Sequence, residues 1–61
     1  MDNEQCRAFL ERWPNEVTIV HVRNGHMRVS CQGVQFDGVI ISTRVAEGGG
    51  HVVVECHWRM M

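Results

Sequence analysis

The dipeptide Asn24-Gly25, set inside HVRNGHMRVS, constrains this chain more than any other feature. A two-residue hairpin loop of type I′ needs positive φ at both central positions, and Asn-Gly meets that need at little steric cost. Strands are therefore predicted on both sides of it, in one register. Arg23 faces His26, Val22 faces Met27, His21 faces Arg28 and Val20 faces Val29. The apolar pairs then share one face and the charged pairs the other. If Gln32-Gly33 makes a second two-residue turn, Cys31 faces Val34, Val29 faces Phe36 and Arg28 faces Asp37. The same division into inside and outside survives across both turns, and this agreement supports the register.

The flanking segments supply the rest of a single domain spanning residues 1–61. In MDNEQCRAFLERWP, the apolar residues Cys6, Phe9, Leu10 and Trp13 recur at helical spacing, which predicts an amphipathic helix within residues 1–13. Asp2 and Gln5 have the spacing of a capping box, and Pro14 stops the helix. Trp13 is expected to close this helix onto a sheet lying within residues 16–59.

The third and fourth strands come from VQFDGVIIST and HVVVECHWR. Strict alternation places Val17, Ile19, Val39, Ile41 and Val53 on the solvent side, and Gly38 is read as a bulge that bends its strand. In the last strand Val52, Val54, Cys56 and Trp58 point inward, against His51, Val53, Glu55, His57 and Arg59. The fold class is therefore α+β: a short N-terminal helix packed on an antiparallel meander of four strands, with five as the alternative. An unbent sheet would expose an apolar patch and favour a homodimer.

A helix followed by four or five curved antiparallel strands resembles the outline of Sm-like and SH3-like small barrels over most of the chain. The resemblance implies a sheet curled into a barrel. No stretch matches an Sm signature, so no functional residue is carried across. The size also suits a phage or plasmid accessory protein.

Composition excludes several functions. The net charge of −1, from six Arg and no Lys against seven acids, is far from the basic balance of a protein that grips nucleic acid mainly by its phosphates. No apolar run is long enough for a membrane span or a signal-peptide core. Three Cys make an odd number, which suits a reducing cytoplasm better than a closed disulfide framework.

Four His and three Cys are a high density of metal-binding side chains, yet no CxxC or HxxxH spacing occurs. Cys6, Cys31 and Cys56 are read as small apolar core residues, and no metal or other cofactor is expected. Cys56 and His57 are neighbours on opposite faces of a strand, so they cannot act as nucleophile and base. No assembled catalytic set is found, and the chain is read as a non-enzyme.

The candidate partner-binding site is the outward face of the first hairpin, His21, Arg23, His26 and Arg28. A locally positive surface suits an acidic protein surface or a short run of phosphates. The favoured reading is a small accessory or inhibitory factor that binds a larger protein. One alternative is an Sm-like or OB-like binder of RNA or single strands using the same hairpin; a weaker one is a zinc-stabilised structural module.

Overall fold

A computed structural model describes all 61 residues. Helix α1 runs from Asn3 to Arg12 and is followed by a single 3-10 turn, Pro14–Glu16. Four strands follow: β1 (Thr18–Arg23), β2 (His26–Cys31), β3 (Val34–Val45) and β4 (Val52–Met60). They form one antiparallel sheet in the order β1-β2-β3-β4, with the helix packed on one face. The architecture is α+β. The sheet is open: β1 and β4 are its two edges, so the barrel closure implied by the resemblance is not formed, and there is no fifth strand. No helix is long and apolar enough to cross a membrane.

The capping box forms as its sequence requires. Asp2 Oδ1 accepts from the Gln5 backbone N–H at 2.9 Å, and Gln5 Oε1 accepts from the Asp2 N–H at 3.0 Å. Cys6 and Leu10 are buried, and Phe9 reaches the sheet with its ring centroid 5.5 Å from that of Phe36. Trp13 does not close the helix onto the sheet as expected. It sits at the helix C-cap, 37% exposed, with the Arg12 guanidinium 5.5 Å from its ring. Pro14 forces the chain out of the helix at this point, which turns the indole away from the core.

Both predicted turns have positive φ at their two central residues: 51° and 78° at Asn24-Gly25, 53° and 77° at Gln32-Gly33. The predicted cross-strand pairs hold with one exception. Ile19, not Val20, faces Val29, because the register shifts between Ile19 and His21. The extra residue reverses the parity upstream of it, so Ile19 turns to the helix side of the sheet while Val20 is left half exposed. Val22 does pair with Met27, but on an edge strand it remains 57% exposed.

The bulge expected in β3 is displaced from its predicted place. It lies at Ile41, between the pairs Ile40–Cys56 and Ser42–Glu55, and not at Gly38. Gly38 has a different role. It lies opposite Trp58, and a Cβ there would come within 2.7 Å of the indole and 2.9 Å of Cys56 Cβ. The missing side chain is what lets the indole lie against the strand.

The buried core comprises Cys6, Leu10, Val29, Cys31, Phe36 and Cys56, and all three thiols are free. Helix α1 also covers part of the β4 edge. Asn3 Oδ1 accepts from the Trp58 N–H at 2.7 Å, and Arg7 Nη2 donates to the Cys56 carbonyl at 3.4 Å. β2 pairs with β3 only as far as Val39, so beyond it β3 pairs with β4 alone and the two project as an arm. Nothing lies over the end of this arm, which leaves Val52, placed inward by alternation, 61% exposed.

Candidate functional site

On the face away from the helix, two adjacent rows cross the whole sheet. One runs His21–Arg28–Asp37–Arg59 and the other Arg23–His26–Val39–His57, each read strand by strand from β1 to β4. The two rows hold three Arg, three His, one Val and a single acid. All four residues of the predicted hairpin site, His21, Arg23, His26 and Arg28, lie in them. The type I′ turn accounts for this, since it fixes the parity of β1 and β2 together.

Asp37 organises the centre. It is only 3% exposed although it lies on the outer face, with His26 and Arg59 against its carboxylate. Its Oδ2 lies 2.9 Å from His26 Nδ1 and 3.6 Å from Arg59 Nε. The hydrogen bond from His26 is the main reason its carboxyl titrates below the usual range. Burial opposes that shift, while the charges of His26, Arg59 and Arg28 reinforce it.

Arg28 is the directly opposed partner of Asp37, yet it makes no hydrogen bond to it, and its Nε is buried with no partner. The carboxylate is instead held by a diagonal His and by Arg59 from β4. Arg28 thus acts on the carboxylate by its charge alone, without a hydrogen bond.

Sequence reasoning missed His57 and Arg59 as part of this surface. Both are placed outward by alternation, but the Gly48-Gly49-Gly50 loop fixes no register, so nothing in the hairpin argument connects β4 to the first two strands. The opposed charges of Asp37 and Arg59 are the signal that could have found it, since opposite charges directly across a ladder favour that pairing.

The His26–Asp37 pair holds an imidazole as an acid–base site does, with Nδ1 on the carboxylate and Nε2 free. No nucleophile accompanies it. Its row neighbours are Arg23 and Val39, and the three Cys are buried in the core. No group of three His, Cys, Asp or Glu side chains is placed to hold a metal ion. The aromatic rings are also elsewhere: Phe9, Phe36 and Trp58 pack in or against the core, and Trp13 ends the helix. Compared with known proteins, the chain matches no family model, no curated protein and no solved structure.

Proposed function

We propose that this chain is a small non-enzymatic binding protein, an accessory or regulatory factor that docks its outer sheet face onto an acidic surface of a larger protein. One observation carries the reading: two rows across four strands hold three Arg and three His against one acid, and that acid is buried. Three Arg against a single buried acid, on a chain whose net charge is −1 with His neutral, make a local device for attracting an anion. The Arg side chains can grip carboxylates bidentately, and Val39, 46% exposed between His26 and His57, adds apolar contact at the centre.

An Sm-like or OB-like nucleic-acid binder is the second reading, and this face suits it less well. Single strands are held by stacking bases on exposed aromatic rings among the cations, and these rows contain none. The three buried, free thiols fit a reducing compartment, and we assign the protein to the cytoplasm on that ground.

The test is a titration of the protein against an acidic peptide and against a single-stranded oligonucleotide of equal charge, at low and moderate salt. The peptide should bind more tightly, and a variant carrying Arg23→Gln, His57→Gln and Arg59→Gln should bind it about tenfold or more weakly, with an unchanged circular dichroism spectrum. Equal binding by the variant, or preference for the oligonucleotide, overturns the reading.

A further inference from the structure

The helix side of the sheet is not fully covered. A groove of about 620 Å³ opens between α1, β1 and the β3–β4 arm, with Leu10, Pro14, Val17, Ile19, Val54 and Trp58 among its walls. Next to it the arm has the opposite problem. Past Val39 it is only two strands thick, and Ile41, Val45 and Val52 on it are 62%, 67% and 61% exposed. A two-stranded ribbon is marginal in water unless something packs on it. One molecule therefore carries both an unfilled apolar groove and an uncovered apolar arm.

The charges at the groove indicate what fits. Four charged residues line it: Arg7, Glu11, Arg44 and Glu55. Arg7 and Glu55 satisfy each other at 3.9 Å, whereas Glu11 and Arg44 make no ion pair. The unmatched residues are one of each sign. In a two-fold contact residue i of one copy meets residue j of the other, and j meets i, so a single acid and a single base at the rim can neutralise each other twice.

We propose that the groove is closed by a second copy of this chain, with the arm of each protomer seated in the groove of its partner and Glu11 of each facing Arg44 of the other. The contact buries the exposed valines of both arms, and a chain of 61 residues with eight buried has much to gain from that. The basic rows lie on the other side of the sheet and stay free. This inference goes beyond the proposed docking function, and either can fail without the other.

Mass in solution, followed by sedimentation equilibrium from micromolar to millimolar protein, tests it. The wild type should be a dimer, and Val45→Asp with Val52→Asp should make it a monomer with an unchanged circular dichroism spectrum, because neither side chain is buried in the protomer. Glu11→Arg and Arg44→Glu should each weaken association about tenfold, and the two together should restore it to within about threefold of the wild type. A monomer at every concentration, a dimer indifferent to the two Val substitutions, or a double charge reversal no tighter than either single one overturns the proposal. Binding of the acidic peptide should be unchanged by the Val substitutions apart from any loss of bivalency, which separates this test from that of the outer face.

Discussion

His26 Nδ1 lies 2.9 Å from Asp37 Oδ2, although the two residues are not opposed in the ladder: Asp37 faces Arg28, and His26 faces Val39. The carboxylate reaches diagonally to the imidazole on one side and straight across to Arg59 on the other. It thereby ties β2 to β4 over the strand between them. Because its folded pKa is lowered from 3.8, the stabilisation is present above the unfolded value and is lost as pH falls through the folded one. The wild type should lose stability progressively below about pH 4. Asp37→Asn should be less stable at neutral pH and should show a shallower fall in acid, measured as urea midpoints across the pH range. Parallel acid profiles for the two proteins would contradict this role.

Gly38→Ala probes the close approach of strand and indole. The added methyl meets Trp58 at 2.7 Å and Cys56 Cβ at 2.9 Å, and Trp58 cannot easily retreat because its backbone N–H is bonded to Asn3. Overpacking of this kind costs about 1–3 kcal/mol. Chemical denaturation should show a loss in that range, together with a changed Trp fluorescence spectrum. A variant as stable as the wild type would mean that the indole relocates freely.

Turn chemistry made the first three strands legible, because Asn24-Gly25 and Gln32-Gly33 each fix a register locally. Helix α1 was legible from its capping box and its apolar spacing. Bulges were not, since an extra residue leaves no compositional mark: the sequence around Val20 and Ile41 is simply β-branched, and the one glycine that suggested a bulge serves Trp58 instead. The shift in β1 explains why Ile19 was assigned to the wrong face, and the sheet is open because β1 and β4 remain unpaired edges. The candidate site was half legible for the same kind of reason. Its β1 and β2 residues follow from a turn, whereas His57 and Arg59 join through a long-range pairing that the triple-glycine loop does not specify.

Asn3 links the helix to the β4 edge by accepting from the Trp58 N–H at 2.7 Å. Removing the acceptor leaves a part-buried donor unpaired, which costs about 1–3 kcal/mol. Asn3→Ala should lose about that much in urea denaturation, while Asn3→Asp, which keeps an oxygen at the same place and adds a negative charge in the first helical turn, should retain most of the stability. Equal losses in both variants would show that the carboxamide N–H₂ group, and not the oxygen, matters here.

The three thiols give a direct reading of how tightly the helix is held. Cys6, Cys31 and Cys56 are all buried, and burial pushes the Cys56 thiol above its ordinary pKa, with the negative charge of Asp37 adding to the shift. A raised pKa leaves less thiolate at neutral pH, and the thiolate is the reactive form. Burial shields all three thiols, and at Cys56 the raised pKa adds to it, so alkylation of the native protein by iodoacetamide should be slow at each position and should become complete in denaturant. Cys6 lies on α1, so Asn3→Ala should release it sooner than Cys31, which lies in β2 between two fixed turns. Mass spectrometry of partly alkylated protein checks the order; Cys31 reacting first would place the weakest packing in the sheet and not at the helix.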